Sequence, residues 1–379
     1  MKHVLLFLIA LLSPVLVLAQ PAAQPVAPVL AAKSWLLLDY DSGQVLVNEK
    51  GQARIEPASL TKLMTAYLSF AALRQGNLKP EQTITPSEDA LRTEGEESRM
   101  FLDARVPVTV MELLHGLIIQ SGNDAARVLA ETIGGNEANF VSLMNSEAQR
   151  LGMKDTHFVN ATGMPHPQHY SSAYDLALLS AALIRDFPEY YPLFSLREYQ
   201  YNNIKQANRN LLLWMDPYVD GIKTGHTETA GFCLVASAKR ENHRLIAVVI
   251  GATSENLRAI ESQKLLNFGF QNFETVRLYQ KNQPVTSLRI WKGTEDQVSV
   301  GFRQDLFLSV PAGQLKQLKA SIETRQPIVA PVMAGQQIGI LKLELNGKPY
   351  EAFPLVALDP VPLANVFLRG WDNIRLLFQ

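Results

Sequence analysis

Pro57-Ala58-Ser59-Leu60-Thr61-Lys62-Leu63 places a serine and a lysine three residues apart at the start of an apolar segment, residues 60–73. Leu63, Met64, Tyr67, Leu68 and Ala71 recur at helical spacing, so the segment reads as a buried helix. Residues three apart on a helix share a face, which brings Lys62 within reach of the Ser59 hydroxyl. A serine becomes a strong nucleophile when a neighbouring base takes its proton. A lysine is such a base when burial or nearby positive charge lowers its pKa. Taken alone, Ser-x-x-Lys is common by chance and reads first as a helix N-cap followed by a solvated lysine. The chemical reading therefore depends on the rest of the chain.

Of the 379 residues, 47% are hydrophobic and 19% charged, which is enough for a large core and points to two domains. The 35 basic and 36 acidic residues nearly cancel, and no basic stripe interleaved with aromatics stands out; nucleic acid is not the expected partner. Residues 1–19 read as a secretory signal, with Lys2 and His3 ahead of an apolar run and Ala19 at its end. Residues 20–32 read as a Pro/Ala/Gln linker, so the mature chain is expected outside the cytoplasm. Cys233 is the single cysteine, which excludes an internal disulfide, and its apolar surroundings read as core. His157, His166, His169 and His226 lack metal-ligand spacing, so neither metal nor cofactor is expected.

Residues 35–40 and 44–48 flank Asp41-Ser42-Gly43 and read as a β-hairpin. Helical patterns follow the Ser59 segment. Thr109 with Glu112 forms a capping box before Leu113, Leu114, Leu117, Ile118 and Ile119, and that helix runs out at Gln120-Ser121-Gly122-Asn123-Asp124. Further helices are expected over 124–133, 140–151 and 172–184. Strands return at 220–227, 231–238 and 244–251, the last two continuously apolar and hence covered on both faces. A helix over 254–268 completes a first domain, residues 33–274. Its sheet comes from both ends of that segment, with helices inserted between: α/β by content, antiparallel by connectivity. Residues 275–360 read as a small all-β domain. Residues 361–379 read as an amphipathic helix, with Leu363, Phe367, Trp371, Ile374, Leu377 and Phe378 on one side and Asn365, Arg369, Asp372, Asn373, Arg375 and Gln379 on the other. It is too short and too charged to span a bilayer, and is expected to lie in the membrane interface.

Three short motifs recur in order: Ser59-Leu60-Thr61-Lys62 at a helix start, Ser121-Gly122-Asn123 between helices, and Lys223-Thr224-Gly225 on a strand. The set resembles the penicillin-recognising serine acyltransferases, which include penicillin-binding proteins and serine β-lactamases. Asp220 through Thr227, Ala230 through Ala238 and Asn208-Arg209-Asn210-Leu211-Leu212-Leu213-Trp214 are similar to the low-molecular-weight penicillin-binding proteins that are D-alanyl-D-alanine carboxypeptidases. The likeness covers nearly the whole mature chain. Leu211 stands where that family often has glycine, and Phe232-Cys233 replaces a more polar pair.

The resemblance implies attack by Ser59 on the bond between the terminal D-alanines of peptidoglycan stem peptides, in cell-wall maturation and shape. It also implies acylation by β-lactam antibiotics and a periplasmic site of action at the outer face of the cytoplasmic membrane. Lys62 would be the base, Ser121 and Lys223 a proton relay, and Asn123 a partner of the peptide amide. Backbone N–H groups of Ser59 and of the strand near His226 would meet the oxyanion. Arg209, Thr224, Gly225, His226, Thr227 and Arg258 would bind substrate, with Thr224, Thr227 and Arg258 the candidates for its carboxylate. Two other readings stand beside this one. A D,D-endopeptidase would use the same groups. A class A-like β-lactamase would need a loop glutamate, and none occurs between Glu147 and Glu189.

Overall fold

The computed structural model of the protein describes residues 25–92 and 97–376. The expected signal segment, the first part of the linker, and Leu377, Phe378 and Gln379 of the terminal helix lie outside the described residues.

The hairpin forms as expected, with β1 (Ser34–Asp39) antiparallel to β2 (Val45–Glu49). The Ser59 segment departs from expectation in detail. Residues 58–61 form a 3-10 turn, and α1 (Lys62–Arg74) begins at the lysine. Ser59 makes no cap, so the N-cap alternative falls. Leu63, Met64, Tyr67 and Phe70 are buried, and so are Thr65 and Ser69, because α1 runs through the centre of the domain.

Around α1 lie β3 (Thr83–Ile84), α2 (Glu88–Leu91), β4 (Val108–Thr109), α3 (Val110–His115), α4 (Asn123–Gly134), α5 (Glu137–Arg150) and α6 (Ala173–Asp186). The Thr109–Glu112 capping box is present at α3. α5 starts three residues before its apolar pattern, because the Asn136 side chain caps it by accepting from Asn139 N. The hairpin β5 (Glu198–Tyr201) and β6 (Ile204–Ala207) and the short α7 (Leu212–Met215) lead into β7 (Val219–Thr227), β8 (Gly231–Arg240) and β9 (His243–Ala252). α8 (Glu255–Asn272) then runs four residues past its expected end.

The sheet order is β2-β1-β9-β8-β7, antiparallel throughout and built from both ends of the domain as read from the sequence. Side chains alternate across it. Leu36, Leu38, Val235, Ile246 and Val248 pack into the core shared with α1 and α6. Leu37, Leu234, Leu245, Ala247 and Val249 pack against Ala259, Leu265 and Leu266 of α8. Both faces are covered, which is why β8 and β9 are apolar without interruption.

The second domain holds β10 (Phe273–Tyr279), β11 (Pro284–Trp291), β12 (Gln297–Gly301), β13 (Leu306–Pro311), β14 (Leu318–Thr324), β15 (Ile328–Val329), β16 (Gln337–Leu345) and β17 (Lys348–Ala357). A polar cluster ties it to the first domain. Asp39 Oδ2 accepts from Thr275 Oγ1 at 2.7 Å, and Ser309 N donates to Gln44 Oε1 at 2.6 Å. The chain ends in α9 (Val366–Leu376).

Candidate active site

The 3-10 turn is wedged between β7 and a loop, residues 160–164. A Cβ on Gly225 would lie 3.1 Å from Pro57 O and 3.3 Å from Leu60 N, so the glycine lets β7 run directly against the turn that carries Ser59. From the other side, Gly163 has φ +88°, and a Cβ there would stand 1.8 Å from Ala58 O. The loop is fastened to α1 by Thr65 Oγ1, which donates to Ala161 O at 2.8 Å. Gly163→Ala is therefore expected to cost about 2 kcal/mol or more and to slow penicillin labelling, because the turn or the loop must move. Thermal unfolding together with fluorescent-penicillin labelling checks this; wild-type values in both would refute it.

The three motifs converge. Lys62 is 1% exposed, and its Nζ lies 3.1 Å from Ser59 Oγ, 2.6 Å from Asn123 Oδ1 and 2.6 Å from Thr162 O. Burial, reinforced by Arg127, brings the Lys62 pKa down to about 7. Ser121 follows a π-helical turn, residues 116–120, and adopts the left-handed conformation at φ +64°. There its Oγ accepts from Lys223 Nζ at 2.8 Å. Lys223 is also buried, and burial followed by the charge of Lys62 holds its pKa well below the usual lysine value.

These groups open on a cavity of about 340 Å³. Ser59, Ser121, Asn123, Arg209, Thr224, Gly225, His226, Thr227 and Arg258 all line it, and the two lysines stand behind its wall. The structure thus assembles every residue singled out from the sequence. It also changes the reading of three. Arg258 is buried and already donates to Arg209 O at 3.0 Å and Glu255 Oε1 at 2.6 Å. The Thr227 hydroxyl donates to Glu56 Oε1 at 2.8 Å while accepting from Ala230 N at 3.0 Å, so it is already engaged. Asn123 Nδ2 donates to Glu97 Oε2 at 2.8 Å.

Sequence reasoning missed Glu97, Thr162 and Glu255. Glu255 could have been found, since it precedes Arg258 by three residues on a helix of the expected range. Thr162 acts through its backbone carbonyl, which no residue type announces.

A serine at hydrogen-bonding distance from a buried lysine, a second serine–lysine pair beside it and arginines at the cavity wall are the components of a serine acyl-transfer enzyme. The comparisons narrow that class. The family profile described as D-alanyl-D-alanine carboxypeptidase matches residues 20–254, and the one described as penicillin-binding protein 5, C-terminal domain, matches residues 273–362. The chain belongs to the D-alanyl-D-alanine carboxypeptidase family of serine peptidases. It is 41% identical over 361 residues to D-alanyl-D-alanine carboxypeptidase DacA of Escherichia coli (strain K12), covering 94% of this chain and 90% of that one. Penicillin binding protein 5 from Haemophilus influenzae superposes with a TM-score of 0.86 at 40% identity, over 89% of this chain and 99% of that one. For penicillin binding protein 6B from Escherichia coli the TM-score is 0.74 at 38% identity, over 89% and 99%.

Proposed function

We propose that Ser59 is the nucleophile of a D,D-carboxypeptidase acting on peptidoglycan stem pentapeptides, with neutral Lys62 as its base. The observation that carries this reading is the set of three partners around Lys62 Nζ. A neutral amine has two N–H donors and one lone pair. Asn123 Oδ1 and Thr162 O, both at 2.6 Å, accept the two N–H bonds, which leaves the lone pair for the Ser59 hydroxyl at 3.1 Å. Ser59 Oγ then bonds to the carbonyl carbon of the penultimate D-alanine while its proton passes to Lys62. The C–N bond breaks as the leaving nitrogen takes a proton through Ser121 and Lys223. Backbone N–H groups of Ser59 and of β7 near His226 meet the oxyanion. Arg209, Arg258 and Thr224 receive the terminal carboxylate. Water hydrolyses the ester and restores Ser59. A β-lactam acylates the same oxygen, and its ring-opened product stays attached.

Intact-mass spectrometry after penicillin treatment tests the assignment, with a single adduct expected on the peptide containing Ser59. Release of free D-alanine from a pentapeptide is expected to exceed cleavage of a cross-linked dimer; the reverse order would favour the endopeptidase reading.

The domain limits 33–274, 275–360 and 361–379, and export to the periplasmic face of the membrane, belong to the same proposal. Among the described residues no helix is long and apolar enough to cross a membrane. α9 supports peripheral attachment instead. Asp372, on its polar side, accepts from Lys292 N at 2.6 Å, while Phe367 is 89% and Trp371 58% exposed. The helix is held by a polar contact with its aromatic side uncovered, as suits an interfacial anchor. Deleting residues 362–379 is expected to leave D-alanine release from soluble peptides unchanged and to free the protein from membranes. Sedimentation of the truncated chain with membranes would refute the anchor.

A further inference from the structure

Glu97 stands beside the machinery just described without any part in it. Its side chain is 1% exposed. A carboxylate that deep needs a countercharge and donors. Arg127 of α4 supplies them, its Nη2 donating to Oε1 at 2.9 Å and to Oε2 at 2.8 Å. The backbone beside Glu97 is fixed as well. Asn123 N donates to Ser98 O at 2.7 Å, and the Asp124 carboxylate accepts from the N–H groups of Met100, Phe101 and Leu102.

We propose that Glu97 is a positioning residue for acylation: paired with Arg127, it fixes the Asn123 amide with its oxygen toward Lys62. An amide has an accepting end and a donating end. A carboxylate on one side can only accept. It therefore holds Nδ2, and Oδ1 is left facing the lysine. With the amide reversed, the carbonyl would meet the carboxylate and the NH2 group would meet Lys62. The lysine lone pair would then accept from Asn123 instead of facing Ser59. Glu97 thus acts two residues away from the nucleophile by preventing one wrong orientation.

Its charge acts on the same lysine. Lys62 is surrounded by Arg127 and Asp124 from α4, Glu97 from its loop, Arg209 ahead of α7, Lys223 from β7 and the buried His169. Among these Glu97 opposes the lowering by Arg127. Loss of its charge would lower the Lys62 pKa further.

The inference rests on Lys62 being the base, and the test separates the two. Acylation rate constants for a penicillin and for a D-alanyl-D-alanine peptide are measured against pH in the full chain, in wild type, Glu97→Gln, Asn123→Ala and the double variant. Glu97→Gln is expected to slow acylation about tenfold or more and to move the acid limb of kcat/KM to lower pH. In the Asn123→Ala background the same change is expected to cost less than about twofold, because Glu97 acts through that amide. Glu97→Asp keeps the charge beside Arg127, and hence the fold, but retracts from Asn123. It is expected to slow acylation with the acid limb in place, which answers the question if the glutamine variant does not fold. Wild-type acylation in the Gln and Asp variants, or equal losses in both backgrounds, would overturn the positioning role. Normal acylation in Asn123→Ala would instead overturn the reading of Lys62 and its partners.

Discussion

A Ser59→Ala chain is expected to lose D-alanine release by about 10⁶-fold in kcat while folding normally. The substitution removes one oxygen at the cavity wall, where Ser59 is only partly buried. Lys62 keeps Asn123 Oδ1 and Thr162 O, so no buried nitrogen is stranded. A stability change within about 1 kcal/mol is therefore expected. The substrate sites at Arg209 and Arg258 are untouched, and non-covalent binding of peptide survives. What disappears is the atom that bonds to the carbonyl, and neither Ser121 nor a water can take its place. The Ser121 Oγ is engaged by Lys223 at 2.8 Å in a left-handed turn. D-alanine release, intact mass after penicillin treatment and thermal unfolding, measured together, check the prediction. Residual release above about one per cent, or a penicillin adduct on another residue, would move the nucleophile elsewhere.

Much of this site is legible in the sequence because its chemistry is carried by residue types at short spacings. Ser59 and Lys62 are neighbours by helical geometry alone. Ser121, Asn123 and Lys223 are remote, but the first two sit where a helix visibly ends and the third lies on a legible strand. The apolar runs of β8 and β9 and the hairpin of β1 and β2 disclose a sheet closed from both ends of the domain. The contacts that complete the site leave no such trace. Glu97 lies in a polar run with no periodicity, and only folding sets it against Asn123 and Arg127. The loop at Thr162 contributes a carbonyl, which every residue has. The engagement of Thr227 by Glu56 is likewise invisible, because two residues 171 apart must meet. Helix ends fail for a similar reason: capped by Asn136, α5 starts three residues before the apolar pattern.

The second large effect concerns Lys62. Only the neutral amine has a lone pair for the Ser59 proton, so kcat/KM should follow the neutral fraction of the free enzyme. With the Lys62 pKa near 7, activity on a D-alanyl-D-alanine peptide is expected to fall about tenfold per pH unit below that value and to level off above it. The limb belongs to the pair rather than to Lys62 alone, because the charge of Lys62 bears on Lys223 across the same buried space. Lys62→Ala is expected to lose about 10⁴-fold in acylation. Lys62→Arg should lose as much, although it restores a positive charge, because a guanidinium does not deprotonate in this range. That comparison separates a base from an electrostatic stabiliser, which arginine would replace in part. A flat profile from acid to neutral pH, or substantial activity in the arginine variant, would remove Lys62 from the role of base. It would pass that role to the Ser121–Lys223 pair, where Lys223 already faces a serine hydroxyl at 2.8 Å.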